Sequence, residues 1–264
     1  MPRAGLRHEL RLVAVALQFL TRVPVRLRDF DPAWLHACAR HFPLVGAGVG
    51  ALGAAVLFGA LQLWPAPVAV LLSMAATVWL TGGFHEDGLA DTCDGLGGAV
   101  ARERALAIMK DSRLGSYGAL GLVLTLALKA AALCVLASAG SAGAVAAALV
   151  MAHGVSRAAA VALLVALPYA GDPDHAKAKP FAQQVGAGSL GVALGWAALL
   201  AAGAVAAGWP PARVAASLAA VAGVAWVCAG WLRRRLGGYT GDGLGATQQW
   251  TELAAYLALA AQVA

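Results

Sequence analysis

The sequence predicts an all-α, polytopic membrane helix bundle with about seven transmembrane helices and an N-terminal interfacial helix. Of its 264 residues, 61% are hydrophobic and only 12% are charged, and the mean hydropathy is +0.74. Soluble domains carry about 25% charged residues, so the chain lies far outside their range. Helices satisfy their own backbone hydrogen bonds and can therefore span a bilayer. We interpret residues 1–264 as one integral-membrane domain surrounded by lipid.

The net charge of +6 has two interpretations. It would suit a protein that binds nucleic acid, but basic membrane proteins usually carry such charge in their cytoplasmic loops. We therefore expect no nucleic-acid partner. The cysteines form no CxxC pair and no regular spacing, so neither a disulfide framework nor a zinc site is predicted. They are Cys38, Cys93, Cys134 and Cys228.

The N-terminal region, residues 1–40, carries seven arginines and one apolar segment, Leu10 to Leu20. A full span takes about 20 apolar residues, so this segment is too short to cross the membrane. Its pattern is typical of an amphipathic interfacial helix. We expect it to lie on the membrane or to pack against the bundle.

Seven apolar segments are predicted to cross the bilayer. They cover about residues 42–64, 67–84, 118–137, 142–167, 188–208 and 214–232, and a last segment from about 248 to the C-terminus. In the first of them, Gly46, Gly50 and Ala54 recur every four residues. This spacing of small residues allows another helix to approach closely.

Three polar residues fall within the predicted spans: Lys129, His153 and Arg157. Charges at such depth are costly and usually face the interior of the bundle. His153 and Arg157 are four residues apart and share one helix face, so we expect this pair to line a polar cavity. Lys129 is interpreted as a snorkelling residue or a structural ion-pair partner, and His153 by itself as a satisfied core histidine.

The loop charges predict the topology. With a cytoplasmic N-terminus, the loops 85–117, 168–187 and 233–244 lie on the same side as residues 1–40, and together they hold sixteen of the nineteen Lys and Arg residues. The opposite loops hold only Arg213. The positive-inside rule therefore places these loops in the cytoplasm. The loop 168–187 is interpreted as a solvated segment, with a substrate lid as the alternative.

An acidic motif comes directly after the second predicted span. Residues 86–94 hold four of the thirteen acidic residues. In a helix, Asp87, Asp91 and Asp94 are spaced i, i+4 and i+7 and project from one stripe. Such like charges repel, and a hard cation such as Mg²⁺, which takes carboxylate oxygens, would relieve the repulsion. The alternative is a solvated acidic helix start.

Basic residues occupy the second half of the same loop. Lys110, Asp111, Ser112 and Arg113 form one cluster, and Arg104 precedes it. If the carboxylates hold a metal, these cations could face phosphate oxygens, for which arginine offers two parallel donors. The alternative is the ordinary enrichment of basic residues in cytoplasmic loops.

Five motifs run through most of the chain. They are Phe19-Leu20-Thr21-Arg22-Val23-Pro24-Val25, Phe42-Pro43-Leu44-Val45-Gly46, Asp87-Gly88-Leu89-Ala90-Asp91-Thr92-Cys93-Asp94-Gly95, Met109-Lys110-Asp111-Ser112-Arg113-Leu114-Gly115 and Gly241-Asp242-Gly243-Leu244-Gly245-Ala246. In these motifs and in their order, the chain resembles the cobalamin synthase family, the adenosylcobinamide-GDP ribazoletransferases. The last motif departs from the family, which often has an acidic residue soon afterwards. Here Thr247-Gln248-Gln249 stands at that point, and Glu252 is the candidate to take the place of the acidic residue.

The resemblance implies a Mg²⁺-dependent phosphotransferase in the bacterial inner membrane, with its active site on the cytoplasmic side. The family transfers the adenosylcobinamide-phosphate group from adenosylcobinamide-GDP to α-ribazole or its 5′-phosphate and releases GMP. This is the last assembly step of coenzyme B12. The whole chain would then be one catalytic domain, and a homo-oligomer is possible.

The resemblance also implies roles for the residues found above. Asp87, Asp91 and Asp94 would ligate the metal, with Asp111 or Asp242 completing the site from a neighbouring helix. A carboxylate beside the metal, or His85, would take the hydroxyl proton. The pyrophosphate would be neutralised by basic residues. They are Arg104, Lys110, Arg113 and Arg157.

Two other interpretations stay open at this point. CDP-alcohol phosphotransferases also set Asp-Gly-x-x-Ala and further aspartates on membrane helices, but they place the later aspartates farther from the first. A transporter would use Lys129, His153 and Arg157 along an ion or substrate path. Against it, the informative residues cluster on one side of the membrane. The choice between ribazole and its phosphate, the metal count and the oligomeric state are open as well.

Overall fold

The computed structural model describes residues 5–27, 29, 31–171 and 185–262. Most of the loop after residue 171, with its predicted role as a solvated segment or lid, lies outside the described residues. Within them the chain is helical and contains a single isolated β-bridge, between Tyr169 and Tyr239. The helices are α1 (Leu6–Leu20), α2 (Pro32–Ala37), a 3₁₀ turn (Cys38–His41), α3 (Phe42–Leu61), α4 (Ala66–Thr81), α5 (Phe84–Gly97), α6 (Arg102–Met109), α7 (Ser116–Ala139), α8 (Ala142–Ala166), α9 (Ala187–Ala206), α10 (Pro211–Leu236) and α11 (Gly241–Ala260).

Hydrogen bonds between loops show that the long helices run between two ends of one bundle. At one end, Arg102 Nε donates to the Leu236 carbonyl at 2.6 Å and its Nη2 to that of Ala170 at 3.2 Å. At the other end, Trp209 Nε1 donates to the Ala144 carbonyl at 2.7 Å. The predicted cytoplasmic loops therefore meet at the same end. The all-α polytopic fold is confirmed.

By length and composition, five helical segments of the described chain could cross a membrane, or six if α4 and α5 count as one bent span. This is fewer than the seven predicted, because α11 is absent from the set and α4 qualifies only together with α5. That helix packs against α5, α7, α8 and α10, and its Gln248 and Glu252 are buried. A helix enclosed by other helices can carry polar side chains that a lipid-facing helix cannot.

The corner between α4 and α5 turns the chain by 90°. Gly82 and Gly83 both have left-handed backbones, with φ of 75° and 71°, a conformation that costs little only for glycine. The predicted second span, 67–84, is therefore too long, because α4 ends at Thr81. The acidic motif begins a short helix of its own, α5, that crosses the bundle direction.

The N-terminal helix α1 is amphipathic and packs against the bundle. Its buried face consists of Leu12, Val15, Ala16 and Leu20, which join a core cluster with Phe42 at the start of α3. Packing against the bundle is one of the two predicted placements of this segment, and the helix begins at Leu6 instead of Leu10.

The small residues of α3 allow close contact with α8. A Cβ atom on Gly46 would collide with the His153 carbonyl oxygen, and one on Gly50 would lie 2.6 Å from that of Leu149. The predicted close helix contact is confirmed. It fixes the helix that carries Arg157 against the start of the bundle.

Candidate active site

A cavity of about 500 Å³ opens at the end of the bundle where the charged loops meet. It lies between α5, the α6–α7 loop, α8 and the start of α11. Eight of the ten residues predicted for the site line it. They are His85, Asp87, Asp91, Lys110, Asp111, Arg113, Arg157 and Asp242. Asp94 and Arg104 are not among its lining residues.

The carboxylates reach the cavity from two helices that touch at glycines. The acidic motif is helical as predicted, so Asp87 and Asp91 lie one turn apart on the same wall. A Cβ atom on Gly88 would lie 2.9 Å from the Asp242 carbonyl oxygen. Only a residue without a side chain lets α11 begin so close to α5. This contact brings Asp242 to the wall that carries Asp87 and Asp91.

Asp94 lies at the start of α7. Its Oδ2 accepts the backbone N–H of Gly115 and its Oδ1 that of Gly118, each at 2.7 Å. The carboxylate thus satisfies two of the N–H groups that the first turn of a helix leaves unpaired. Any metal ligation by Asp94, as predicted, would have to coexist with these two bonds. The observed role is to anchor α7 to α5.

The carboxylates of the cavity suit a Mg²⁺ ion that is shared with a substrate. Among the described residues, no group of three or more His, Cys, Asp or Glu side chains is arranged to hold a metal ion. Mg²⁺, however, is commonly bound by one or two carboxylates together with substrate phosphates. Asp87 and Asp91, with Asp242 on the adjoining helix, fit such a shared site. They do not form a cage built from protein ligands alone.

The basic cluster borders the cavity, but two of its members pair with each other. Arg113 Nη2 lies 2.5 Å from Asp111 Oδ2, and Arg113 Nε donates to Asp111 Oδ1 at 2.9 Å. These hydrogen bonds lower the pKa of Asp111 to about 2. Asp111 is therefore an ionised partner of Arg113. Its use as a metal ligand would require this pair to open.

Arg157 is a buried cation in the cavity wall. The residue is 2% exposed, and its Nη1 donates to the His153 carbonyl at 2.8 Å. Its Nε–H has no hydrogen-bond partner among the described residues. A buried guanidinium is costly unless an anion compensates it. Its place in the wall suits it to bind an anionic group inside the cavity, the role that the family resemblance implies.

Gln248 is a cavity residue that the sequence analysis did not assign to the site. It lines the cavity and donates to Glu252 Oε2 at 2.6 Å. Glu252 in turn forms an ion pair with Lys129, which confirms the structural interpretation of that lysine. Lys129 itself does not line the cavity. The signal in the sequence was a pair of glutamines one turn before a glutamate in an apolar segment.

Carboxylates and cations that face one cavity at the end of a membrane helix bundle suit a membrane-embedded enzyme of the phosphotransfer class. The comparisons with known proteins agree with this assignment. The chain belongs to the cobalamin-5-phosphate synthase family, whose model matches residues 12–260.

Its relatives carry a more specific name. A protein of Leptothrix cholodnii named adenosylcobinamide-GDP ribazoletransferase is 63% identical, over 96% of both chains. Proteins of the same name from Polaromonas naphthalenivorans and Shewanella amazonensis are 46% and 45% identical, over 95% and 96% of this chain and 98% and 96% of their own. No solved structure matches the chain.

Proposed function

We propose that the protein is an adenosylcobinamide-GDP ribazoletransferase. It would transfer the adenosylcobinamide-phosphate group to α-ribazole or its 5′-phosphate and release GMP, completing the assembly of the cobalamin nucleotide loop. The observation that carries the proposal is the convergence of residues from α5, the α6–α7 loop, α8 and α11 on one cavity. These segments are far apart in the chain, and their charges suit a pyrophosphate substrate.

The reaction is a displacement at phosphorus. A ribose hydroxyl oxygen of the acceptor attacks the phosphorus bound to the cobinamide, the bond from that phosphorus to the bridging oxygen breaks, and GMP leaves with the bridging oxygen. Arg157 and Lys110 neutralise the charge that grows on the leaving phosphate. His85, which is buried in the wall, or a neighbouring carboxylate takes the hydroxyl proton.

We further propose that the reaction depends on Mg²⁺. Asp87 and Asp91, with Asp242, would hold the ion together with phosphate oxygens of the substrate. When bound, it would neutralise part of the phosphate charge. The carboxylates would hold the ion beside the phosphate chain, so the loss of one carboxylate would weaken Mg²⁺ binding and, with it, the placement of the reacting phosphorus.

The apolar part of the cavity suits the flat groups of the two substrates. The rings of Phe19 and Phe42 are stacked, with centroids 5.7 Å apart, and Phe84 meets Phe19 edge-on at the same distance. All three line the cavity. Aromatic walls bind planar apolar groups through burial and ring contacts. We assign this wall to the corrin or to the aromatic base of α-ribazole.

The proposed location is the inner membrane of a bacterium, with the cavity open to the cytoplasm. The support is the asymmetry of the loop charges and the meeting of the basic loops at one end of the bundle. Labelling of single cysteines in sealed vesicles tests it. A Ser116→Cys variant should react only from the cytoplasmic side, and labelling from the outside would reverse the topology.

The decisive test of the reaction uses the purified protein in detergent. GMP should appear only when adenosylcobinamide-GDP, an acceptor and Mg²⁺ are all present, together with a corrinoid that carries the lower nucleotide. Running α-ribazole and its phosphate in parallel determines the preferred acceptor. CDP-diacylglycerol with a small alcohol should yield no CMP. Consumption of that lipid without reaction of the corrinoid would overturn the proposal.

A further inference from the structure

A group of buried polar side chains lies one helical turn beyond the cavity wall, and the reaction described above does not use it. Glu252 on α11 is fully buried, and Lys129 on α7 and His153 on α8 are 4% exposed. The Glu252 carboxylate forms an ion pair with Lys129 Nζ, and its Oε2 lies 3.2 Å from His153 Nδ1. Three helices therefore meet at one carboxylate.

The same carboxylate holds a residue of the cavity wall. The side-chain nitrogen of Gln248 donates to Glu252 Oε2 at 2.6 Å and to Ser156 Oγ at 3.0 Å. The Gln248 side-chain oxygen accepts from Gln249 Nε2 at 3.0 Å. An amide has two N–H donors and one carbonyl acceptor, and all three groups are engaged here. The Gln248 side chain thus has a single orientation toward the cavity.

A second wall residue is linked to Glu252 through α8. Arg157 Nη1 donates to the backbone carbonyl of His153, and the His153 ring contacts the Glu252 carboxylate. On its other side, the Arg157 side chain packs over Gly46, where a Cβ atom would lie 2.6 Å from Arg157 Cδ. The guanidinium is therefore fixed between α3 and α8 at a position set by the His153 turn.

The free-energy cost of burying these ions indicates that the group does more than hold the helices together. Burying ions costs several kcal/mol each, and replacing a buried ion pair by apolar side chains of similar volume is often neutral or stabilising. Stability alone is thus a weak reason for Glu252 and Lys129. A functional site, in contrast, needs its wall residues locked by a supporting set of hydrogen bonds.

We propose that Glu252 is a positioning residue for the pyrophosphate-binding wall. Its contacts with Lys129 and His153 set the place of the α8 turn that holds Arg157. Its bond with Gln248 fixes the shape of the wall beside the substrate, since the Gln248 amide has no donor left for the anion itself. The inference rests on the proposed function only for the identity of the anion. The positioning itself concerns any pyrophosphate group in the cavity.

Two double variants test the proposal: Lys129→Met with Glu252→Gln, and Lys129→Met with Glu252→Met. Both remove the ion pair, but only the first keeps a side-chain oxygen that can accept from Gln248. We expect both forms to fold, with a lower unfolding temperature for the Glu252→Met form because it leaves a buried Gln248 N–H without an acceptor. The Glu252→Met form should bind inorganic pyrophosphate and adenosylcobinamide-GDP at least about tenfold more weakly than the Glu252→Gln form, because small misplacements of wall groups are costly.

The kinetic pattern separates positioning from a merely structural role. In the Glu252→Met form KM for adenosylcobinamide-GDP should rise and kcat should fall, because Arg157 contacts the leaving phosphate both before and during the reaction, whereas KM for α-ribazole should change by less than about threefold. A Gln248→Leu variant with Glu252 intact removes the same bond from the other end. It should show the same rise in KM and in the Kd of pyrophosphate, and it retains every buried charge.

The outcomes are distinct for the two proposals. Equal Kd values for pyrophosphate in the two double variants, or a Gln248→Leu variant that binds like the wild type, would overturn the positioning role. A wild-type protein that releases no GMP, with double variants that nonetheless differ in pyrophosphate binding, would overturn the proposed reaction and leave the positioning role standing.

Discussion

Helices α5 and α11 carry similar six-residue segments near their starts but place different groups at the cavity. The segment on α5 is Asp87-Gly88-Leu89-Ala90-Asp91-Thr92, three residues into the helix, and the one on α11 is Asp242-Gly243-Leu244-Gly245-Ala246-Thr247, one residue into the helix. Each starts at the cavity with its aspartate in the wall. The two starts pack together, because Gly88 lies against the Asp242 backbone and Gly245 against that of His85.

The two helices differ in the turn after the shared start. On α5 the next acidic residue is Asp91, which lines the cavity. On α11 the corresponding position is Ala246, and the later polar residues, Gln248 and Glu252, are buried among helices. The glycines therefore bring two helix starts together, whereas the residues one turn later decide whether a helix places carboxylates at the cavity or buries its polar groups among the other helices.

The largest effect is expected from a substitution on α5, at the second aspartate that lines the cavity. Asp91→Asn removes one carboxylate charge without changing the volume of the side chain. We expect a folded, inserted protein that loses at least about a hundredfold in GMP release, since electrostatic contacts to reacting groups are commonly worth that much. The measurement is turnover at saturating Mg²⁺.

Glu103→Gln is the matched control for that variant. Glu103 is exposed on α6 and does not line the cavity, so its substitution should leave turnover unchanged. Turnover of the Asp91→Asn variant close to that of the wild type would remove Asp91 from the site and end the functional contrast between the two helices.

The next effect concerns the paired glycines. A Cβ atom on Gly88 would meet the Asp242 backbone oxygen and Cα at 2.9 and 3.0 Å, whereas one on Gly243 would meet the Leu232 side chain at 2.8 Å. Backbone cannot yield as a side-chain methyl can. Gly88→Ala should therefore destabilise the protein by about 1–3 kcal/mol, as overpacking does, and reduce turnover about tenfold or more by displacing Asp242.

Gly243→Ala is the natural comparison for Gly88→Ala. It gains helix propensity of up to about 1 kcal/mol and requires only a shift of Leu232, so we expect a near-normal unfolding temperature and turnover. Thermal unfolding in detergent and GMP release measure both variants. Equal damage from the two substitutions would show that the two glycines serve the same purpose.

The sequence was sufficient for the helical class, the acidic stripe and the meeting of the basic loops, because periodicity and loop charge are local signals. Three features lay beyond it. Gly82 and Gly83 have left-handed backbones, and nothing in a sequence distinguishes such glycines from others. The burial of α11 depends on which helices surround it. The capping of α7 by Asp94 joins residues 21 or more positions apart, and periodicity within one helix favoured the metal-ligand role instead.

A smaller effect is expected at the far end of α5. Asp94→Ala removes the acceptors for the Gly115 and Gly118 N–H groups, and the loss of a helix cap costs about 0.5–2 kcal/mol. Because α7 begins directly after the basic cluster, the loss of its cap should disturb that cluster and lower turnover. We expect a fall of less than about tenfold, since Asp94 itself is not among the cavity-lining residues. The Mg²⁺ concentration for half-maximal activity should stay the same. A large rise in that concentration would instead establish Asp94 as a metal ligand.

The smallest effect concerns Asp111 and Arg113, which line the cavity. The pKa of Asp111, about 2, is below its usual value of 3.8. Any stabilisation from this pair is therefore complete above pH about 4 and is lost only as the pH falls toward 2. The pH–rate profile between about 5 and 8 should show no step from Asp111, and salt should weaken this exposed pair.

Arg113→Gln tests what the pair with Asp111 contributes to substrate binding. It frees the Asp111 carboxylate, whose pKa should return toward its usual value, and it removes one cation from the rim of the cavity. We expect KM for adenosylcobinamide-GDP to rise by about threefold to tenfold at neutral pH with kcat nearly unchanged, because the lost contact attracts the substrate before reaction as much as during it. A fall in kcat with unchanged KM would mean that Arg113 leaves Asp111 during the reaction and contacts the phosphate that departs. In that case the α6–α7 loop would join α5 in supplying reacting groups.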